Sequence, residues 1–197
     1  MTEIADRYRR LAADFTAEVA AVPPTDDRWS NPSPCPGWAA RDVVGHMLDT
    51  HALFFGLIGH DVPAGPGVEV GGDGDGDGAG GPLAAWSHVR DAMQAALDDP
   101  DVAGTEFDGM FGRTRWDAAV DRFINGDVLV HRWDLGQALG SDPQLDVEDV
   151  RRARAGLEGI PDEALRSEGT FGPAVEPPPD ATEREQFLAF LGRTPRS

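Results

Sequence analysis

Two residues of this sequence have the types and the spacing to do chemistry together. Asp127 and His131 lie four apart within Asp117–Gly140, which reads DAAVDRFINGDVLVHRWDLGQALG. Around them Val120, Phe123, Ile124, Leu135 and Ala138 recur at helical spacing on one broad apolar stripe. Four residues are a little over one helical turn, so the carboxylate and the imidazole stack on one face. Burying such a pair among apolar side chains is costly unless each group finds a partner. A divalent cation would satisfy both at once. An internal arrangement, in which the carboxylate holds one tautomer of the imidazole, would also do so, and this helix alone leaves both readings open.

The elements that must position the pair are legible from periodicity. Ile4, Tyr8, Leu11, Phe15 and Val19 form the stripe of a first helix from Thr2 to Val22, with Thr2 as N-cap and Pro23 and Pro24 beyond its end. Residues 25–37 read as a proline-rich loop bracketed by Trp29 and Trp38, two aromatic anchors for the core. A second helix runs from Trp38 to about His60, with Asp42 in its first turn. One of its faces carries Val43, Thr50, Leu53 and Leu57 with His46 among them; another carries Val44, Leu48, Phe55 and Ile58 with His51 among them. Pro82–Leu97 is a third helix, on which Trp86, Val89, Met93 and Leu97 form the buried stripe. Residues 98–115 suggest a short hairpin turning at Asp108-Gly109, and Thr114 with Asp117 a capping box for the fourth helix, which stops at Gly140. A short helix over Val147–Leu157, an extended arm over Phe171–Asp180 and a final helix over Thr182–Leu191, capped by Thr182 and Glu185, complete the chain. The expected fold is all-α: an antiparallel four-helix bundle with a long crossover loop and short C-terminal helices. We read residues 1–197 as one domain, with a core over 1–140 and an appendage over 141–197.

Composition limits what this fold can do. The chain has 17 Lys+Arg, all of them arginine, against 35 Asp+Glu, a net charge of -18 that repels phosphate backbones and argues against nucleic acid as a partner. One cysteine, Cys35, excludes an internal disulfide framework. No apolar run approaches the ~20 residues that cross a bilayer, and no basic-then-apolar leader opens the chain, so a soluble cytoplasmic protein is expected. The segment between Asp61 and Gly81 is acidic and glycine-rich. Its Asp73, Asp75 and Asp77 resemble the start of a calcium loop, but the twelfth position falls on Ala84 instead of a glutamate, so it reads as a flexible surface loop. Helical bundles often pair, and a homodimer is permitted by the sequence without being demanded.

NPSPCPGWAARDVVGHML (31–48) and GDVLVHRWDLGQALG (126–140) together resemble the DinB-like superfamily, in particular its branch related to the N-terminal domain of mycothiol-dependent maleylpyruvate isomerase. The tail FGPAVEPPPDATEREQFLAFLGRTP resembles the ending of small members of that branch. The resemblance implies a metal, zinc or nickel, inside the bundle, held by His46 of the second helix and by Asp127 and His131 of the fourth. Isomerase-type members carry glutamate where this chain has Asp127, one bond shorter, so contact with the metal is expected either directly or through a water. Asp134, three after His131, is placed either to orient that histidine or to pair on the helix surface. Two imidazoles and one carboxylate leave a coordination position for water or substrate. The resemblance implies that a metal-bound thiolate of a low-molecular-weight thiol, such as mycothiol, attacks a small electrophile. Arg132 and Arg41 are candidates to bind a substrate carboxylate, or else solvated helix residues. His51 and His60 are alternative ligands on the second helix, His88 is expected at the surface, and Cys35 is either a nucleophile or fourth ligand near a helix N-terminus or a packed loop residue. The isomerases carry a second domain that the residues after Gly140 are too few to form. The functional expectation is a metal- and thiol-dependent S-transferase or isomerase. Its rivals are a non-catalytic metal- or small-ligand-binding protein and an interaction bundle whose polar residues satisfy one another.

Overall fold

A computed structural model of the chain describes residues 2–63, 81–109, 111–167 and 170–194. The expectation of a flexible acidic loop, including Asp73, Asp75 and Asp77, falls largely on 64–80, outside the described residues. Helix α1, Glu3–Ala20, starts where the Thr2 hydroxyl accepts the Ala5 amide at 3.2 Å, as an N-cap should. Its Tyr8, Leu11, Phe15 and Val19 are buried. Each large apolar side chain buried this way contributes about 1.5–3 kcal/mol. Helix α2 spans Ala40–Gly56 and α3 spans Gly81–Asp98. Residues Pro100–Ala103 form the short α4.

Next come strands β1, Glu106–Gly109, and β2, Gly112–Arg115, paired antiparallel so that Gly109 faces Gly112. Asp108-Gly109, read from sequence as the turn, therefore lies in the ladder instead. The fold is accordingly mostly helical, with one two-stranded sheet among the described residues.

The fourth rod is helical from Trp116 to Leu139 but not uniform. It opens as α5, Trp116–Ala119, widens into a π turn over Val120–Ile124, and continues as α6, Asn125–Leu139. The expected Thr114 cap is absent. Thr114 is still in β2, Arg115 is the N-cap, and the Asp117 carboxylate instead takes the Ala118 amide and both forks of Arg115. Gly140 closes α6 in the left-handed region at φ 90, a backbone shape glycine adopts without penalty. Helix α7 covers Val147–Gly156, α8 covers Asp162–Leu165, and α9 covers Glu183–Phe190. The capping box of α9 forms as read, with Thr182 and Glu185 each accepting the other's amide.

Helix α1 packs against α3 and α6, and α2 packs against the same two. Tyr8, Phe15, Met47, Trp86, Ile124 and Leu135 meet in the core they enclose. The α2 face carrying His46 is core at one end only: Val43 is buried, while Leu53 is 64% exposed and Leu57 40%. Periodicity reports that a face is apolar; it does not report what covers it. No helix among the described residues is long and apolar enough to cross a membrane.

Candidate metal centre

The loop before α2 is held down by its own backbone. Ala40 donates to the Asn31 carbonyl at 2.9 Å and Ser33 to that of Trp38 at 2.8 Å, and the Asn31 side-chain Nδ2 donates to the Ala138 carbonyl at 3.0 Å. Trp29 is buried and its indole donates to the Pro23 carbonyl. These contacts set Cys35 and Trp38 beside α6.

The helices then bring the three expected residues together. His46 of α2 faces Asp127 of α6, with Nε2 3.0 Å from Oδ2. His131 Nε2 lies 3.6 Å from Asp127 Oδ1, and the two imidazole rings meet edge to face at 4.6 Å. One donor atom from each residue falls within 4.8 Å of the others. Ligands bound tetrahedrally at ~2.0–2.1 Å sit roughly 3.4 Å apart, so the two carboxylate–imidazole spacings bracket what one small cation needs. The donor set, two imidazoles and a carboxylate, suits a borderline divalent ion. Trp38 lies over both rings, 5.0 Å from His46 and stacked 5.9 Å from His131. Thr50 Oγ1 is 3.3 Å from His46 Nε2.

Asp134 is fully buried and orients His131, which decides between its two readings. Its Oδ2 lies 3.0 Å from His131 Nδ1, takes Arg193 Nη2 at 2.7 Å and accepts the Cys35 thiol at 3.2 Å; its Oδ1 takes Arg193 Nε at 3.2 Å. The carboxylate can only accept when ionised, so Nδ1 carries the proton and Nε2 presents its lone pair toward Asp127 and His46. Burial alone would raise the Asp134 pKa, but His131 and Arg193 hold it well below the usual carboxylate range. Burial likewise opposes the charged form of Asp127, and its imidazole neighbours, His46 first, bring its pKa below the ordinary value. For His46, burial pulls the pKa down and Asp127 more than restores it, leaving it raised.

Cys35 is not placed as an activated nucleophile. Burial and the nearby Asp134 push its thiol up to about 12, the opposite of an activated thiol at a helix N-terminus. Together with His131 and Asp134 it forms a second group with metal-ligand spacing, fully buried. There the donors already bond one another, and the Arg193 guanidinium, 3.3 Å from Sγ, repels a cation. His51 is not a ligand candidate either. It is buried on the other face of α2, its Nδ1 donating to the Met47 carbonyl at 2.6 Å and its Nε2 facing the Tyr8 hydroxyl at 3.0 Å. His60 is exposed beyond α2, and half-buried His88 bonds the Pro63 carbonyl in an exposed contact. Arg132 is occupied by Asp14 and the Gln144 carbonyl, and Arg41 by Ser30 and the Trp29 carbonyl. Neither lines the cavity onto which the three-donor group opens.

That cavity measures about 1080 Å³ and is walled by Leu53, Leu57, Phe107, Phe111 and Phe123 among others. Sequence reading has no signal for Arg193, which arrives from the far end of the chain, or for Phe107 and Phe111, which depend on the hairpin.

Fold and site together define a mostly helical protein with a three-donor group suited to a divalent cation at the edge of an apolar cavity. The chain belongs to the mycothiol maleylpyruvate isomerase N-terminal domain family, whose model matches residues 4–136, and through it to the DinB-like superfamily. It is similar to two proteins of Mycobacterium tuberculosis, Uncharacterized protein MT0763 of strain CDC 1551 / Oshkosh and Uncharacterized protein Rv0738 of strain ATCC 25618 / H37Rv. Each is 29% identical over 199 residues, spanning 96% of this chain and 97% of its own length. No solved structure matches the chain significantly.

Proposed function

We propose that the protein binds one divalent metal ion, zinc or nickel, through His46, Asp127 and His131, within an antiparallel four-helix bundle of the DinB-like type. We propose further that it uses the ion in a thiol-dependent S-transfer or isomerisation of a small electrophile, with mycothiol as the class of thiol. The observation that carries the reading is the convergence of three donors on an open cavity, with the third oriented from behind by buried Asp134. When bound, the ion would supply Lewis acidity and hold an incoming thiol in its thiolate form.

The chain's own residues support that chemistry in definite ways. Asp134 fixes the His131 tautomer, and Arg193 neutralises Asp134 so that the acid can stay buried and ionised. Trp38 walls the two imidazoles. Leu53, Leu57 and Phe111 exclude water from a ligand lying against them. Cys35 is the chain's single cysteine and its thiol stays protonated, so a reacting thiol has to come from outside.

Elemental analysis of purified protein is expected to give about one equivalent of metal, lost in His131→Ala. Metal-free protein whose melting temperature ignores added zinc and nickel would overturn the reading. Metal-loaded protein with mycothiol and monobromobimane is expected to conjugate them above the uncatalysed rate. A second reading, a non-catalytic metal- or small-ligand-binding protein, draws on the short Asp127 carboxylate, which already satisfies itself against His46 at 3.0 Å. Stoichiometric metal with no conjugation across several thiols would favour it.

A further inference from the structure

The cavity wall runs against the charge of the chain. The sequence has a net charge of -18, yet among the described residues lining the cavity Asp127 is the single carboxylate, while Arg113, Arg122, Arg166 and Arg193 all reach it. Three of these cations are matched by acids: Arg113 by Glu106 at 2.9 Å, Arg166 by Asp162 at 3.2 Å and Arg193 by Asp134 at 2.7 Å. Arg122 is different. Its Nε donates to the Gly156 carbonyl at 2.7 Å and its Nη2 to the Glu158 carbonyl at 3.3 Å. Among the described residues it forms no ion pair within 4.0 Å, and its Nη1 donates to nothing. The guanidinium carbon lies 4.6 Å from the centre of the Phe111 ring and 5.2 Å from that of Phe123. A cation aimed by two carbonyls and two aromatic faces keeps its charge, and no anion among the described residues answers it.

Its position adds a length. Arg122 sits in the π turn Val120–Ile124, five residues before Asp127 on the same rod. Helical turns of this type break regular geometry and recur at functional sites. At ~1.5 Å of rise per residue the two groups are separated by roughly 7 Å along the axis. The wall between and around them is apolar, and Leu53, Leu57 and Phe111 expose 64%, 40% and 48% of their surface.

We propose that Arg122 is the anion anchor of this cavity and that its ligand is an amphipathic organic carboxylate. The free N–H groups of Arg122 take the carboxylate, and a flat aromatic or branched apolar body lies against Leu53, Leu57, Phe107 and Phe111. The end remote from the carboxylate reaches toward His46, Asp127 and His131. The inference names a substrate class for the site proposed above. It rests on that reading for what is done to the ligand, and not for the binding itself.

The test uses metal-stripped full-length protein, so that a bound ion cannot take the carboxylate, and compares 2-naphthoate with the uncharged 2-naphthamide by titration calorimetry. A charge-assisted hydrogen-bond pair predicts at least about a tenfold preference for the acid. Arg122→Gln is expected to erase that preference and leave zinc stoichiometry intact, and Arg113→Gln, on the same cavity, to keep it. Equal binding of acid and amide by the wild type would overturn the proposal, as would a preference that survives in Arg122→Gln. So would naphthoate binding that appears only after metal is restored. The wild-type comparison decides the matter even if Arg122→Gln does not fold. An acid preference in protein that takes up no zinc would uphold the anchor while removing the metal reading.

Discussion

Replacing Asp134 with asparagine keeps the shape of the side chain and removes its charge. In the wild type this carboxylate accepts from His131 Nδ1, from Arg193 Nε and Nη2, and from the Cys35 thiol. An asparagine has one acceptor oxygen and a donor NH2. Turned one way it faces its NH2 against the Arg193 guanidinium; turned the other way it donates to His131 Nδ1, which swaps the tautomer and puts a proton on Nε2. The first consequence is on stability. Arg193 is 6% exposed, and stranding a buried charge of this kind costs about 3–5 kcal/mol, a fall in melting temperature on the order of 10 °C for a chain of this size. The second is on binding, since losing the group that orients a ligand histidine weakens metal affinity by about 10–100-fold. The double variant Asp134→Asn with Arg193→Gln removes both charges, so melting temperature is expected to recover toward the wild type while zinc affinity does not, because the tautomer stays unspecified. Thermal melts of metal-free protein and competitive zinc titrations give the two readouts separately. Single variants whose melting losses simply add in the double, or an Asp134→Asn protein that binds zinc like the wild type, would refute the reasoning.

Other outcomes follow from the same geometry. His51 is held neutral: burial lowers its pKa from 6.5 to about 4, so between those values the unfolded chain binds the extra proton. Its contribution to stability is therefore complete above pH 6.5 and falls by about 3 kcal/mol as pH drops to about 4; denaturant melts of His51→Phe are expected to lack that part of the acid sensitivity, and a variant as acid-sensitive as the wild type contradicts it. With its thiol pushed up to about 12, Cys35 in the native protein is expected to react with iodoacetamide at pH 8 roughly a thousandfold more slowly than free cysteine, and rapid native-state labelling would count against its burial under Asp134. A Cβ at Gly156 would lie 2.8 Å from the Arg122 carbonyl, so Gly156→Ala is expected to cost about 1–3 kcal/mol in denaturant melts and to disturb the π turn; an unchanged melt would show that this contact is loose.

What could be read in advance depended on sequence distance. Asp127 and His131 announce themselves because one helix carries both, a turn apart, and His46 because it interrupts an apolar stripe. Asp134 has legible spacing but not legible burial, since whether the rod's far side meets solvent depends on the loop carrying Cys35 and on the segment after α9. Arg193 has no signal at all: its partner lies 59 residues earlier, and only folding brings them together. Leu53 and Leu57 have the right period for a core and line a cavity instead, because the hairpin opposite leaves room. The π turn is equally silent, being a choice of backbone hydrogen bonds that the side chains around it do not advertise. Arg132 and Arg41, beside the motifs, are the arginines that sequence offers for a substrate carboxylate, but each has partners of its own and neither lines the cavity, which Arg113, Arg122, Arg166 and Arg193 reach.

The proposed chemistry depends on where one cation sits. Crystals of the zinc- or nickel-loaded protein, measured at the absorption edge of the metal, would locate it by anomalous scattering. A single peak is expected about 2.0–2.2 Å from His46 Nε2, His131 Nε2 and an Asp127 oxygen, with at least one position open to the cavity. A peak among Cys35, His131 and Asp134, or a stoichiometrically loaded protein with no peak at His46, would contradict it.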